Sequence, residues 1–193
     1  MRLDILNRGY RPRTTLLFAI IRIFSGHPLP DAAKLVFYRP GFYGAAAKAL
    51  THEAMRGPSE WSVADRELMA AYVSVVNESA FCVGAHTATA TRAYRDGAKV
   101  RAVLADPDTA PIGEGLRATL RMLATLTRQG TVSAEDMREV LAAGVSPRQI
   151  EDALAVCTAF DITDRLADAF GFAIPGPEGF AAGAKYLLAR GYR

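Results

Sequence analysis

Residues 62–97 read SVADRELMAAYVSVVNESAFCVGAHTATATRAYRDG, and this stretch indicates the fold class. Ser62 stands three positions before Asp65, which is close to a capping box and predicts that a helix starts here. We therefore expect a helix with one face packed into a core. The apolar side chains of that face recur at the spacing of an amphipathic helix: Met69, Tyr72, Val73 and Val76.

A second helix is predicted directly after the first. Asn77-Glu78-Ser79 interrupts the apolar periodicity, and either Asn77 or Ser79 can cap a new helix. We expect this helix to run to about Arg95, where Asp96-Gly97 stops it.

Helix signals of the same kind recur along the whole chain, and no strand alternation, fixed-period repeat or low-complexity linker is visible. Alanine, leucine and arginine recur throughout, a balance that favours helix over sheet. We therefore predict a single all-α domain over residues 1–193, a bundle of about eight helices. Besides the first two, helices are expected near 14–25, 31–37, 42–55, 114–128, 133–143 and 146–170, with a last helical turn near 184–189.

The charge pattern does not point to nucleic acid. The 23 basic and 20 acidic residues leave a formal charge of +3. The basic residues cluster mainly at the N-terminus, at Arg2, Arg8, Arg11 and Arg13, and acids are interleaved elsewhere. Binding to nucleic acid requires a patch that makes several phosphate contacts, so we expect no nucleic-acid partner.

The apolar run at residues 16–21 superficially resembles a signal peptide, because arginines precede it. Arg22 breaks the run, and Pro28 and Pro30 follow where small residues should mark a cleavage site. The run is also far shorter than the roughly 20 apolar residues of a membrane span. We expect an amphipathic helix over about 14–25 that packs on the core or on a partner subunit, no membrane partner, and a cytoplasmic protein.

Three side chains of the second predicted helix are candidates for chemistry. Cys82 falls in its first turn, where free N–H groups and the helix dipole favour a thiolate. Ser79 and His86 lie three residues before and four residues after it, so the three side chains share one helix face as a nucleophile–base arrangement. Spacing alone leaves two other interpretations open, a small core cysteine and an incidental histidine.

The segments Ala64-Asp65-Arg66-Glu67-Leu68 and 77–86 resemble the signature of the carboxymuconolactone decarboxylase and alkylhydroperoxidase D-like superfamily. That signature has a glutamate in an Arg-Glu-Leu context, a Cys-x-x-Cys pair, and a histidine four residues after the second cysteine. The resemblance covers most of the chain, and it looks like the peroxidase-related branch. It extends through residues 38–40, 56–59, 160–169 and 187–192.

The resemblance implies an alkylhydroperoxidase D-like bundle and gives roles to single residues. The family's peroxidatic cysteine falls on Cys82, and the histidine and glutamate of its proton relay fall on His86 and Glu67. A thiolate in this place attacks a peroxide oxygen to give a sulfenic acid. A small-molecule peroxide substrate and a homo-oligomer are also implied, with residues 16–24 and 42–50 as apolar interface area.

Ser79 departs from this pattern, because it stands where the first cysteine is expected. A serine cannot condense with a sulfenic acid, so the two-thiol cycle is unavailable. Cys82 then works alone with an external thiol as reductant, or the peroxidase activity is lost, or the serine is an introduced substitution. We favour a thiol-dependent peroxidase-like oxidoreductase with Ser79 as a hydrogen-bonding residue. The alternatives are a decarboxylase or lactone-processing enzyme that uses His86 and Glu67, and a non-catalytic oligomer.

The remaining candidates predict structure rather than chemistry. Cys157 lines up with apolar residues and is expected in the core. Asp161, Asp164 and Arg165 are expected to form ion pairs along the last long helix. The cysteines and histidines are too scattered for a metal site, and His52 is expected at the surface. No glycine-rich phosphate loop occurs in the sequence, so we predict no cofactor.

Overall fold

The computed structural model describes residues 4–192, with their side chains except at positions 4, 5 and 42. Arg2 of the predicted basic cluster lies outside the described residues. Within them the chain forms helices and no strand, which confirms the all-α class. The elements are a 3-10 turn (Asp4–Asn7), α1 (Pro12–Ser25), α2 (Asp31–Tyr38), α3 (Pro40–Tyr43), α4 (Ala45–Arg56), α5 (Val63–Val76), α6 (Ala80–Tyr94), α7 (Gly97–Ala105), α8 (Glu114–Gln129), α9 (Ala134–Ala142), α10 (Pro147–Phe170) and α11 (Pro177–Arg190).

The helices of residues 4–192 outnumber the predicted eight, since ten of them have eight residues or more and α3 is a single turn. The sequence does not predict α7, because Asp96-Gly97 signals a stop. Arg95 ends α6 in the left-handed conformation (φ 57°), and the Asp96 side chain then accepts from the Lys99 N–H and starts α7. α11 is a full helix rather than a turn near 184–189, because Pro177 favours a helix start.

Helix α5 lies at the centre of the bundle. Its predicted capping box is present: the Ser62 hydroxyl accepts from the Asp65 N–H, and the Asp65 carboxylate accepts from the Ser62 N–H, at 3.1 Å each. α5 packs most extensively against α6 and also against α8 and α10. Its residues 66–74 are consequently all buried, so a glutamate in this segment is surrounded by protein.

A second, smaller apolar cluster encloses the first turn of α6. Leu6 from the 3-10 turn and Leu35 from α2 are completely buried in it. The Phe81 and Phe172 rings meet edge to face with centroids 5.3 Å apart. Cys82 belongs to this cluster, so the N-terminal segment and the chain after α10 cover it from two sides.

Helix α1 forms as predicted and ends at Gly26 in the left-handed conformation (φ 72°). None of its side chains is buried. No helix within residues 4–192 is long and apolar enough to cross a lipid bilayer.

Candidate active site

Glu67 is completely buried in the middle of α5 and receives three hydrogen bonds. Its Oε1 accepts from Arg56 Nη2 at 2.6 Å and from the Tyr192 hydroxyl at 3.0 Å. Its Oε2 lies 2.7 Å from His86 Nδ1. We name these four side chains the glutamate cluster. The structure thus brings the two predicted relay residues, Glu67 and His86, into direct contact.

The glutamate cluster holds a buried negative charge. Burial alone would raise the pKa of Glu67, but hydrogen bonds and positive charge from His86 and Arg56 outweigh burial and lower the pKa. An ionised carboxylate only accepts hydrogen bonds, so His86 donates from Nδ1 and keeps Nε2 available for proton exchange. The imidazole is held edge to face against Phe160, with ring centroids 4.3 Å apart.

Arg56 enters the glutamate cluster from the last residue of α4. Its guanidinium also donates to the carbonyls of Met55 and Leu187, at 2.8 and 3.1 Å, and lies over the Tyr192 ring at 5.2 Å from the centroid. The buried Arg66 of α5 donates to two carbonyls at the end of α4. α4 is therefore fixed to α5 where Arg56 must meet its carboxylate.

Tyr192 reaches the glutamate cluster because the chain reverses at Gly191. Gly191 has φ 65° and ψ −149°, a conformation that is essentially restricted to glycine. The Tyr192 N–H donates to His52 Nδ1 at 3.2 Å, so His52, predicted at the surface, is half-buried and positions the tyrosine. Burial and the nearby Glu67 charge raise the pKa of Tyr192 well above its ordinary value, which keeps the phenol as a donor.

Cys82 is only 1% exposed and lies among carboxylates rather than beside a cation. Burial, followed by the charge and hydrogen-bond acceptance of Asp164, raises the pKa of Cys82 well above its ordinary value, and Asp168 adds to this. The expectation of a thiolate at the helix start is therefore wrong for this structure. The first turn of α6 does favour an anion, but desolvation and the neighbouring negative charges outweigh that effect.

Ser79 is the residue before α6, one of the two predicted cap positions, but its hydroxyl does not cap the helix. It donates instead to Asp168 Oδ1 at 3.2 Å, and it also hydrogen-bonds the Cys82 thiol. Asn77, the other predicted cap, closes α5. Glu78 between them adopts a left-handed conformation (φ 58°), which makes the sharp turn from α5 into α6.

Asp164, predicted to take part in ion pairing along α10, is completely buried. Its two oxygens accept from Ser74 Oγ and Asn77 Nδ2, both at 2.9 Å. Asn77 Nδ2 also donates to Asp161 Oδ1 at 3.0 Å. Burial raises the pKa of Asp164, although its hydrogen bonds with Asn77, Cys82 and Ser74 oppose the shift. We name Cys82, Asp164, Ser79 and Asp168 the thiol cluster.

Cys157 packs in the main core, as predicted. Its sulfur lies 3.5 Å from Thr127 Oγ1 and 3.6 Å from Asp161 Oδ2. Burial raises the pKa of Cys157 to about 11. Both cysteines are free and buried.

The thiol cluster and the glutamate cluster are separate polar groups, and α6 contributes Cys82 to the first and, one turn later, His86 to the second. Among the contacts of residues 4–192, no hydrogen bond joins Cys82 Sγ to the His86 ring, although both clusters lie between α5, α6 and α10. In the same part of the chain, no group of three or more histidine, cysteine, aspartate and glutamate side chains is arranged to hold a metal ion.

Three side chains of these clusters, Arg56, Asp168 and Tyr192, are not predicted from the sequence, and Asp164 is predicted only to form ion pairs along α10. The resemblance quoted above runs through all four positions without giving them a role. The sequence does carry one usable signal, since glycine immediately before Tyr192 indicates that the backbone turns there. For the two aspartates on α10, the spacing fits surface ion pairs equally well.

Residues 43–125 match the model of the carboxymuconolactone decarboxylase family, and this range contains Glu67, Ser79, Cys82 and His86. No curated protein matches the chain in sequence.

The fold is similar to that of two crystal structures. One is an uncharacterized peroxidase-related protein from Silicibacter sp. TM1040, with 24% identity and a TM-score of 0.77, covering 92% of this chain and 93% of that one. The other is the alkylhydroperoxidase AhpD core of an uncharacterized peroxidase-related protein from Ralstonia eutropha JMP134. It has 18% identity and a TM-score of 0.75, and it covers 90% of this chain and 91% of that one.

Proposed function

We propose that the chain is a member of the carboxymuconolactone decarboxylase and alkylhydroperoxidase D-like superfamily and a thiol-dependent peroxidase-like oxidoreductase that reduces hydroperoxides at Cys82. The family match of residues 43–125 and the similarity in fold support this proposal. The observation that carries the proposal is the surroundings of α6. A buried thiol has a carboxylate beside it, and one turn further along the same helix His86 is hydrogen-bonded to the carboxylate of Glu67 from α5. A nucleophile, a proton acceptor and a proton donor are thus available within one region.

Cys82 must lose its proton as it reacts, because its surroundings keep the thiol neutral. We propose that Asp164 accepts this proton while the sulfur attacks the outer oxygen of the hydroperoxide. The S–O bond forms, the O–O bond breaks, and the leaving alkoxide takes a proton from His86, whose ring is oriented by Glu67. Cys82 is oxidised by two electrons to a sulfenic acid, and the hydroperoxide is reduced to an alcohol.

The reductant in this proposal is an external thiol. Ser79 lies beside Cys82 and Asp168 but offers a hydroxyl, which forms no disulfide with a sulfenic acid. A first small thiol therefore converts the sulfenic acid to a mixed disulfide and releases water. A second thiol releases Cys82 and leaves as the disulfide of the small thiol. A cytoplasmic location, which belongs to the same proposal, supplies such thiols.

Hydroperoxide consumption with an external thiol tests the proposal. We expect turnover in the unchanged protein and in Cys157→Ser, no turnover above background in Cys82→Ala, and slower turnover in His86→Ala. Activity that persists in Cys82→Ala would show that another group reacts with the peroxide and would refute the proposal.

A decarboxylase or lactone-processing activity is the second candidate. Two observations favour it: the family that residues 43–125 match, and the hydrogen-bonded Glu67–His86 pair that makes no bond to the thiol. In this reaction His86 and Glu67 would act as acid and base. Turnover of an unsaturated lactone acid that survives Cys82→Ala but not His86→Ala would establish this function, and loss in both variants would exclude it.

A further inference from the structure

Ser79 carries a hydroxyl that the fold does not use as a helix cap. A serine directly before a helix normally accepts a hydrogen bond from an N–H of the first turn, but Ser79 makes no such bond to α6. The side chain is completely buried. Its hydroxyl donates to Asp168 Oδ1 at 3.2 Å and hydrogen-bonds the Cys82 thiol. The hydroxyl therefore lies between a buried sulfur and a carboxylate.

The three side chains differ in their contact with solvent. Cys82 and Ser79 are buried, whereas Asp168 is exposed. A hydroxyl has one hydrogen to donate and two lone pairs that accept. Because Ser79 donates its hydrogen to Asp168, its oxygen is left to accept the hydrogen of the Cys82 thiol. Hydrogen bonds thus lead from the buried sulfur through Ser79 to a carboxylate in contact with solvent.

Asp164, the other acceptor beside Cys82, has no comparable connection to solvent among the contacts of residues 4–192. It is completely buried, and its two oxygens accept from Ser74 Oγ and Asn77 Nδ2. Ser74 is itself completely buried. The amide nitrogen of Asn77 only donates, so it cannot take a proton from Asp164. Asp164 can therefore hold the Cys82 proton during a reaction, but these two partners do not lead it to water.

We propose that Ser79 and Asp168 form the route by which the Cys82 proton exchanges with solvent. The S–H bond of Cys82 breaks as its proton bonds to Ser79 Oγ, and the O–H bond of Ser79 breaks as that proton bonds to Asp168 Oδ1. The thiol becomes a thiolate and the carboxylate becomes a carboxylic acid, with no transfer of electrons. Asp168 then releases the proton to water, and the same steps in reverse return a proton to the thiolate.

The route serves the last step of the proposed peroxidase cycle, and this part of the inference rests on that proposed function. The second external thiol displaces Cys82 from the mixed disulfide, and a sulfur leaves more slowly when the pKa of its thiol is high. Burial and the neighbouring carboxylates raise the pKa of Cys82, so the leaving sulfur needs a proton as it departs. Asp168, protonated again from water, supplies this proton through Ser79.

Exchange of the Cys82 thiol hydrogen for deuterium measures the route without any substrate. The Cys157→Ser chain has a single thiol, whose S–H stretching band in the infrared disappears after dilution into heavy water. We expect Ser79→Ala and Asp168→Asn to slow this exchange by about tenfold or more, because each removes one group that passes the proton. Glu151→Gln removes another exposed carboxylate of α10 and should leave the rate unchanged.

The direction of the change separates a proton route from a structural effect. A variant that only loosens the packing opens more often, and its thiol exchanges faster. Exchange that is unchanged or faster in either variant would therefore overturn the proposal. Asp168→Asn alters an exposed position, so it decides the question even where Ser79→Ala folds poorly.

Turnover of a hydroperoxide with an external thiol gives a second measurement. We expect Ser79→Ala and Asp168→Asn to turn over more slowly than the unchanged protein, and equal rates would contradict a role of the route in the release of Cys82. An unchanged protein without turnover would refute the proposed peroxidase function, whereas the deuterium exchange would still decide whether the route exists.

Discussion

The two polar clusters beside α6 differ in how the charge of a buried carboxyl group is compensated. In the glutamate cluster, Glu67 has no exposed surface, yet Arg56 and His86 compensate its charge and lower its pKa. In the thiol cluster, Asp164 is equally buried, but its hydrogen-bond partners are Ser74, Asn77 and Cys82, none of which is a cation. Its pKa is raised.

The comparison shows that the available cation, rather than the depth of burial, decides the direction in which the pKa of a carboxyl group shifts here. In the glutamate cluster, Glu67 forms an ion pair with Arg56 and orients the imidazole of His86. In the thiol cluster, where no cation is hydrogen-bonded to Asp164, the pKa of the Asp164 carboxyl group and the pKa of the Cys82 thiol are both raised. A reaction that needs both proton donation and a nucleophile can draw on the two clusters separately.

The largest expected effect follows from removing the charge of Glu67. Glu67→Gln leaves Arg56, 11% exposed, without its carboxylate, and breaking a buried pair in this way costs about 3–5 kcal/mol. Urea denaturation of the variant measures the loss. The control Glu135→Gln breaks the pair with Arg138, in which both side chains are exposed, and should cost at most about 1 kcal/mol. Equal losses of unfolding free energy in the two variants would mean that a buried ion pair at Glu67 costs no more to break than an exposed one.

The thiol cluster should respond to Asp164→Asn through the reactivity of Cys82. The substitution keeps the shape of the side chain and removes the negative charge that raises the pKa of the thiol. We expect the pH midpoint of Cys82 alkylation, measured in the Cys157→Ser chain, to fall. Glu151→Gln on the exposed side of α10 is the matched control and should leave the midpoint in place. An unchanged midpoint in Asp164→Asn would show that the charge of Asp164 does not raise the pKa of Cys82.

The two carboxyl groups should also give opposite pH dependence of stability. The pKa of Glu67 is lower in the folded than in the unfolded state. Its contribution to the free energy of unfolding is therefore present above the unfolded-state pKa and is lost as pH falls through the folded-state pKa. The pKa of Asp164 is higher in the folded than in the unfolded state. Its contribution to the free energy of unfolding is therefore present at low pH and is lost as pH rises through the folded-state pKa.

Thermal unfolding at pH 4 and pH 8 measures this difference. Relative to the unchanged protein, Glu67→Gln should lose more stability at pH 8 than at pH 4. The stability of Asp164→Asn, relative to that of the unchanged protein, should instead increase as pH rises. The same pH trend in both variants would contradict the contrast between the clusters.

A smaller effect concerns the packing that covers α6. A Cβ on Gly84 would lie 2.4 Å from Phe180 Cζ of α11, and that ring lies near Phe81 beside Cys82. Gly84→Ala forces the ring to move, and overpacking of this kind costs about 1–3 kcal/mol. Gly183→Ala on α11 meets no atom within 4 Å and should stabilise the helix by roughly 0.5–1 kcal/mol. Denaturation midpoints that move in the same direction for both variants would contradict this account.

The sequence predicts well what one contiguous stretch contains. The capping box of α5 and the two helices follow from residues 62–97, because capping residues and helix periodicity are local signals. The approach of Glu67 to His86 is implied by the family resemblance instead. The ionisation state of Cys82 does not follow. It depends on Asp164 and Asp168, which arrive from a helix about eighty residues later and whose spacing also fits surface ion pairs.

The glutamate cluster has the same limit. Arg56 and Tyr192 come from α4 and from the end of the chain, and they meet only after the bundle has assembled. A backbone conformation at Gly191 that favours glycine directs Tyr192 inward. The local sequence predicts the turn at Gly191, whereas only the packed structure shows that the turn brings Tyr192 to Glu67.

Trapping the oxidised form of Cys82 tests the central claim most directly. The Cys157→Ser chain would be mixed with one equivalent of an organic hydroperoxide and a sulfenic-acid reagent such as dimedone, and then analysed by mass spectrometry. We predict one adduct on Cys82, together with one equivalent of the alcohol, and a slower reaction in His86→Ala. An unmodified Cys82 with the hydroperoxide intact would contradict the proposed peroxidase function.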